Sequence, residues 1–303
     1  MSERIVYLNG QFLPESEAKV SVLDRGFLFG DSVYDSSRTF NSVPWRMEQH
    51  IERLYESCRY ARLDPGLSIA EMNELSKELV GKNMSVYGKD EEFRVNHWVT
   101  RGGGITIDTE LLRDRHTVTI FTLPMDYERF AHGFLDGVMS VVTGVRRTPP
   151  ECLEPRAKVG NKMNHLQAEF EAKQAGAWAI MLDTRGFVAE GPSYNCFIVR
   201  DGELLTPRLV NCLGGVNRSY VIELAKELGI STRETDLTHY DLLTADEAFH
   251  TSNTLCLLPV RSIDGVPMRH GAPGPISNQL TEHWIDRVGC DWREKAIRTL
   301  NRT

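Results

Sequence analysis

Apolar and polar positions follow a short period at the start of the chain and a helical one further on. The run Ile5 to Leu8, the turn pair Asn9-Gly10 and the return Gln11 to Leu13 predict a β-hairpin. From Val20 to Val33, β-branched and aromatic residues with glycines at Gly26 and Gly30 predict a strand interrupted where backbone comes close to a neighbour. The stretch YDSSRTF, from Tyr34 to Phe40, reads as a further strand, ended by the turn Asn41-Ser42. Around Glu48 the spacing changes: Ile51, Leu54, Tyr55, Cys58 and Ala61 mark one face of a helix that stops before Pro65-Gly66. Ser68 and Glu71 form a capping box for a second helix carrying Leu75, Leu79 and Val80. Strands follow at Glu92 to Thr100 and His116 to Thr122.

The segment Pro124 to Gly133 has no clear period. It divides the chain into a small α+β domain over 1–123, a linker over 124–134 and a larger domain over 135–303. In the second part a strand is expected over Gly137 to Val145, then the turn RRTPP, then a helix from Asn161 to Ala175 with Met163, Leu166 and Phe170 facing inward. Strands at Trp178 to Leu182 and Tyr194 to Val199 flank a turn over Asp183 to Gly186. Asn217 to Leu228 is an amphipathic helix stopped by Gly229. No internal repeat interrupts this plan. Two α+β domains with a cleft between them is the simplest architecture.

With 303 residues, 41% of them hydrophobic, the chain can bury a core in each of two domains. Its net charge of −7, with lysines and arginines scattered, lacks the basic footprint that nucleic acid requires, and anionic membranes are equally poor partners. No apolar stretch has the form of a signal peptide or a membrane span, which leads to the expectation of a cytoplasmic enzyme. The six cysteines are widely spaced without a CxxC pair and read as reduced, mostly buried thiols rather than disulfides or metal ligands.

Several positions carry candidate chemistry. Lys158, in EPRAKVGNKMN, sits between a proline-bounded turn and a helix. A Schiff-base chemistry there would need a phosphate cradle and an acid facing a pyridine nitrogen. Gly214-Gly215 lead into a helix start at Val216 and Asn217, where free N–H groups and the helix dipole suit a phosphate. Ser252, Asn253 and Thr254 form a second donor-rich turn. Glu190, in GFVAEGPSYN, is a candidate acid, and Arg53 and Arg101 are candidate carboxylate or phosphate clamps. Taken singly, each also has an ordinary reading, as a solvated lysine, a loop-to-helix junction, a polar turn, a turn acid or a surface ion pair. His50, His97 and His250 read first as satisfied structural histidines.

In order, these segments resemble the class IV aminotransferases, the fold type IV pyridoxal-5'-phosphate (PLP) enzymes. YLNGQF with AKVSVLDRGFLFGDSVYD is similar to that family's opening, HIERLYES to its phosphate-binding arginine helix, and KVGN followed by EFEA to its lysine segment. EGPSYNCFIV, GGVNRSYVIELAKELGI and ADEAFHTSNT follow in the family's order. The resemblance implies an α+β fold type IV enzyme of two domains with the active site in the cleft between them, working as a homodimer on small-molecule amines and keto acids. It implies Lys158 as the Schiff-base lysine and general base. Glu190 becomes the partner of the pyridine nitrogen. Arg53, Val216, Asn217, Ser252 and Asn253 become phosphate ligands, and Tyr34, Arg94 and Arg101 contact substrate.

Within the family, Tyr34-Asp35 and VRRTPP are similar to D-amino acid and (R)-amine transaminases. Lys162, four residues after Lys158, is read as standing where branched-chain members carry a tyrosine. The expected activity is therefore ping-pong transfer between a D-amino acid or (R)-amine and a 2-keto acid. A branched-chain L-amino acid aminotransferase and a 4-amino-4-deoxychorismate lyase-like enzyme are the alternatives.

Overall fold

The computed structural model describes residues 3–88, 91–104 and 116–300. The chain forms two compact units, Met1–Met125 with Ala157–Lys162, and Asp126–Arg156 with Met163–Thr303.

The first unit contains β1 (Ile5–Leu8), β2 (Gln11–Pro14), α1 (Arg25–Phe29), β3 (Ser32–Phe40), β4 (Val43–Trp45), α2 (Met47–Ala61), α3 (Ile69–Asn83), β5 (Phe93–Thr100) and β6 (Thr117–Pro124). Its strands make one antiparallel sheet in the order β2-β1-β6-β5-β3-β4. The hairpin turns where expected, with Asn9 and Gly10 both at positive φ. Ser68 caps α3 with the reciprocal Glu71 bond in place. Alternation along β3 and β5 sends Val33, Val95 and Val99 to one face, where they pack with Ile51 and Leu54 of α2 and Met72 and Leu79 of α3. Truncating a side chain as buried as Leu54 removes about 2–5 kcal/mol.

The interrupted strand expected over Val20 to Val33 is different. Asp24 caps the short helix α1 through Gly26 N–H, and its buried carboxylate also accepts from Thr100 Oγ1 at 2.8 Å and Thr117 Oγ1 at 2.6 Å. A side chain at Gly26 would meet Thr100 Cγ2 at 2.5 Å, so close approach is the reason for that glycine. Gly30 ends α1 at φ 67°. Propensity favoured extended backbone here, and a buried cap contributed by distant threonines overrode it.

The second unit contains α4 (Glu128–Asp136), β7 (Val138–Val142), α5 (Met163–Gln174), β8 (Trp178–Leu182), β9 (Val188–Glu190), β10 (Asn195–Arg200), β11 (Glu203–Pro207), α6 (Val216–Glu227), β12 (Thr232–Thr235), α7 (His239–Leu243), β13 (Glu247–Ser252), β14 (Cys256–Ile263), β15 (Val266–Pro267), α8 (Pro275–Val288) and α9 (Trp292–Leu300). Its mixed sheet runs β12-β11-β10-β13-β14-β7-β8-β9, with β15 on β14. The β11–β12, β14–β7 and β7–β8 pairs are parallel.

Three expectations differ here. The linker expected over 124–134 holds the end of β6 and most of α4, whose Phe130, Ala131 and Phe134 are buried; a helix this short shows too few turns for its period to stand out. The lysine segment, expected in the larger domain, belongs to the first unit. Helix α5 buries His165, Ala168 and Ala172, while Met163, Leu166 and Phe170 are exposed. The small alanines let the helix lie close against Ala179 and Met181 of β8, and that packing rather than side-chain size chose the face. Of the cysteines, all free, only Cys152 is exposed. Among the described residues, no helix is long and apolar enough to cross a membrane, and no cluster of His, Cys, Asp and Glu could hold a metal ion.

Candidate active site

Within the first unit the lysine segment lies along β3. Val159 bridges Val33, Tyr34 N–H donates to Lys158 C=O at 2.9 Å, and Gly160 N–H donates to Ser32 C=O at 2.8 Å. A Cβ on Gly160 would overlap Ser32 Oγ, so this close pairing needs glycine. On the other side, Lys158 N–H donates to Ser57 Oγ of α2 at 3.0 Å. The lysine is held by its main chain and its side chain is left to project. Lys158 Nζ lies 4.6 Å from the centre of the Tyr34 ring, which stacks on Trp98 with centroids 4.6 Å apart. Burial alone would raise the Tyr34 phenol, but the charges of Lys158 and Lys162 bring its pKa below the usual tyrosine value. Lys162 thus shares the surroundings of Tyr34.

Arg53 projects from α2 onto Asp35 of β3, with Nε on Oδ2 and Nη2 on Oδ1, both at 2.8 Å. His50, one turn earlier, places Nδ1 2.8 Å from the same carboxylate. Burial pushes Asp35 up, yet the Arg53 charge and the His50 hydrogen bond hold it far below the carboxylate range. Burial keeps His50 below its ordinary value and therefore neutral, so its Nδ1–H is the donor to Asp35. Sequence reasoning found Arg53 and missed Asp35 as its partner. The signal was the i, i+3 placement of His50 and Arg53, two nitrogen-donor side chains turned to one side of a helix.

Arg94 and Trp98 share a face of β5 with the cross-strand residues Arg38 and Tyr34. Arg94 is half-buried there, four residues along the strand from Trp98. Arg101 has a different setting. Its guanidinium binds Asp31 at 2.8 and 3.1 Å and caps the end of α2 through the Ala61 and Arg62 carbonyls at 2.7 and 2.9 Å. These bonds make it a clamp between Asp31 and the end of α2.

Within the second unit Glu190 ends β9, nearly fully buried. Arg147 Nε donates to Oε1 at 2.8 Å, Leu213 N–H to Oε2 at 2.9 Å, and His165 Nε2 lies 3.7 Å from Oε1. Burial raises the carboxyl, but the His165 imidazole beside it, the Arg147 charge and the Leu213 N–H outweigh it and lower its pKa to about 2. Glu190 is therefore ionised at any physiological pH. That is the state needed to hold a proton on a pyridine nitrogen. Arg147, from the VRRTPP turn, and His165 were not singled out by the sequence, because their partner lies far away in the chain.

The loop before α6 is pinned at the same place. Leu213 C=O accepts from Asn195 Nδ2 at 2.8 Å, and Gly215 is the N-cap of α6 with no side-chain cap. The first N–H groups of the helix, those of Val216 and Asn217 among them, receive no side-chain cap. Asn217 Nδ2 donates to Ser252 C=O at 2.9 Å and so joins the helix start to the Ser252-Asn253 turn. Asn217 Oδ1 and both polar atoms of the Asn253 amide are buried without a hydrogen-bond partner. The uncapped main-chain N–H groups and the Asn253 Nδ2 group, donors without an acceptor, are what a bound phosphate would satisfy. Each unit holds residues that fit PLP, an amine in the first and an ionised acid with a phosphate cup in the second.

His97 pairs with Ser76 at 2.7 Å, and His250 with Ser140 at 2.9 Å, both fully buried. They are structural, as the sequence suggested.

Residues 32–263 match the Amino-transferase class IV family. A putative branched-chain-amino-acid aminotransferase of Methanocaldococcus jannaschii is 37% identical over 294 residues, covering 96% of this chain and 98% of its own. A D-alanine aminotransferase of Bacillus licheniformis is 31% identical over 280 residues, covering 91% and 94%. Among solved structures, a branched-chain amino acid aminotransferase complexed with N-(5'-phosphopyridoxyl)-L-glutamate superposes with a TM-score of 0.85 at 29% identity, covering 95% of each chain. The branched-chain aminotransferase of the thermophilic archaeon Thermoproteus uzoniensis, solved with norvaline, superposes with a TM-score of 0.84 at 29% identity, covering 98% of this chain and 97% of its own. These relatives support the branched-chain alternative better than the D-amino acid or (R)-amine activity that the sequence motifs favoured. The motifs Tyr34-Asp35 and VRRTPP cover a few positions, whereas the relatedness extends along nearly the whole chain. The chain belongs to the class IV aminotransferases and is a PLP-dependent aminotransferase of fold type IV.

Proposed function

We propose that this enzyme transfers the amino group of a branched-chain L-amino acid to a 2-keto acid. The observation that carries the reading is the near full-length relatedness to the putative branched-chain enzyme of M. jannaschii. The stacked Tyr34 and Trp98 rings offer an apolar surface beside Lys158, which suits a branched aliphatic side chain. Arg94, on the same sheet face, suits the second carboxylate of a dicarboxylic keto acid.

When bound, PLP supplies an aldehyde that condenses with amines and a pyridine ring that draws electrons from the substrate α-carbon. Lys158 Nζ would anchor the cofactor through its aldehyde and, when free, would take the α-proton of the substrate as general base. Glu190, kept ionised by Arg147 and His165, holds the proton on the ring nitrogen. Arg53, the main-chain amides of Val216 and Asn217, and the Ser252-Asn253 turn bind the phosphate. Tyr34 orients the substrate over the Lys158 amine.

A second reading, transfer from a D-amino acid or (R)-amine, is favoured by Tyr34-Asp35, by VRRTPP and by the D-alanine aminotransferase relatives. Separate incubation of the PLP-loaded enzyme with L-leucine, D-alanine and (R)-1-phenylethylamine decides between them. Loss of the visible cofactor absorbance with L-leucine supports the branched-chain reading, and loss with D-alanine or the amine alone overturns it. The anchor is tested by borohydride: a reducible bond to PLP in the wild type and none in Lys158→Ala.

The enzyme is further proposed to act as a homodimer. Val22, Phe27 and Phe29 in the first unit are 70%, 74% and 59% exposed, and Met163 and Phe170 in the second 62% and 53%. Apolar side chains this open suit burial against a second copy. A Phe27→Ser variant that remained as associated as the wild type by light scattering would remove Phe27 from that interface.

A further inference from the structure

Ser57 is fully buried on α2, four residues after Arg53 and seven after His50, so the three share one helix face. Its hydroxyl makes two bonds. It donates to the Arg53 carbonyl at 2.9 Å, the back-bond a helix serine often makes, and it accepts from Lys158 N–H at 3.0 Å. The second bond is not local, since it crosses 101 residues of sequence.

These bonds close a ring. Lys158 N–H meets Ser57, Ser57 meets Arg53, the Arg53 guanidinium meets Asp35 at 2.8 Å, Asp35 is covalently joined to Tyr34, and Tyr34 N–H returns to the Lys158 carbonyl at 2.9 Å. The Lys158 and Arg53 main chains are thereby tied to one another through a single buried oxygen atom, and the Arg53 side chain runs from that point to Asp35. Among the described residues, Ser57 Oγ is the acceptor for the Lys158 amide proton; without it that N–H loses its partner and the segment is held by Tyr34 and Ser32 alone.

We propose that Ser57 is a positioning residue, whose hydroxyl sets where the Lys158 amine stands relative to Arg53. It touches neither substrate nor cofactor and acts through the two residues it joins. The proposal rests on the reading that Lys158 carries PLP.

The test uses the PLP-loaded full chain as wild type, Ser57→Ala, Ser57→Thr and Lys158→Ala. The borohydride-reducible bond reports the Lys158 reading by itself: it is expected in the wild type and both Ser57 variants, and absent from Lys158→Ala. If Lys158→Ala retained it, that reading would fail, and the proposal with it, recognisably before any effect of Ser57 is considered. The Ser57 proposal is read from the pH midpoint of the visible cofactor absorbance and from kcat and KM. Ser57→Ala is expected to move the midpoint by about half a unit or more and to lower kcat by roughly 10- to 100-fold, as for a misplaced catalytic group. KM should change little, and Ser57→Thr, which keeps the hydroxyl, should restore both. A purely structural serine would lower thermal stability and leave the midpoint and kcat of the folded enzyme at wild-type values, and that result overturns the proposal. If Ser57→Ala does not fold, Ser57→Cys, close in size and a poorer acceptor, is read in the same titration against the same two outcomes.

Discussion

Arg53 grips Asp35 with two parallel hydrogen bonds, Nε to Oδ2 and Nη2 to Oδ1, both at 2.8 Å, on a carboxylate with no exposed surface. The pair orients the guanidinium and satisfies a buried charge at once. A planar, two-pronged contact of this kind fixes direction as well as distance.

Asp35→Asn leaves Arg53 buried without its counter-charge and is expected to cost about 3–5 kcal/mol. Because the folded pKa of Asp35 lies below the unfolded value of about 3.9, the pair's contribution is complete above about pH 5 and shrinks as the pH falls through the unfolded value. Urea unfolding at pH 7 and pH 3.5 checks both statements. An equal wild-type-minus-variant difference at the two values would contradict the assignment.

Arg101 is expected to matter for stability rather than for substrate. Arg101→Ala removes the clamp on Asp31 and the end of α2, at about 2 kcal/mol for charge-assisted hydrogen bonds. KM for both substrates should stay within about twofold, where loss of a carboxylate contact would raise it tenfold or more for each 1.4 kcal/mol removed. A large rise in KM with unchanged unfolding would restore the substrate role.

Gly215→Ala and Gly214→Ala separate the phosphate cup from its loop. A Cβ on Gly215 would overlap Asn195 Oδ1, the side chain that pins the loop, whereas on Gly214 it would meet nothing closer than Leu209 at 3.7 Å. The first change is expected to weaken PLP binding about tenfold, equivalent to 1.4 kcal/mol, and the second to leave it unchanged. Equilibrium dialysis against PLP reads both, and equal affinities would argue against a cup at this helix start.

Glu190→Gln keeps the shape of the acid and removes its charge. The variant is expected to retain PLP while kcat falls about 10²–10³-fold, the usual effect of removing one preorganised electrostatic contact. Its unfolding free energy should fall as well, because Arg147 loses its ion-pair partner. A kcat within threefold of wild type would remove Glu190 from the chemistry.

The buried histidines set part of the acid stability. His97 is depressed to about 4 and His250 to about 3, each chiefly by burial. Both folded values lie below the unfolded value of about 6.5, so the unfolded chain takes up protons first and stability falls as the pH drops below that point. The decline should continue toward pH 4 for His97 and pH 3 for His250. Unfolding free energies measured between pH 7 and pH 4 should slope less in His250→Gln than in wild type. Parallel slopes would mean that His250 does not titrate in this way.

The amino-acid sequence by itself determined the features that depend on neighbours a few residues away. These were the Asn9-Gly10 hairpin, the Ser68 and Glu71 capping box, the helices of α2 and α6, and the stop at Gly229. Through the order of its motifs it also led to the family, and to Lys158, Glu190 and Arg53 as candidate site residues. The motifs did not lead to the donor that the relatives favour, since a few positions near the lysine weigh less than relatedness along the whole chain. Only the tertiary structure decided which partner each residue has. It placed Asp35 under Arg53, Arg147 and His165 beside Glu190, Ser57 on the Lys158 amide, and Arg101 on Asp31 and the end of α2. It also turned α5 over, burying Ala168 and Ala172 and exposing Phe170, and folded the lysine segment with the first unit. The reason is physical. Caps and periods are satisfied within one or two turns of chain, whereas a buried charge or amide is satisfied by whatever group the sheet register brings to it, often a hundred residues away.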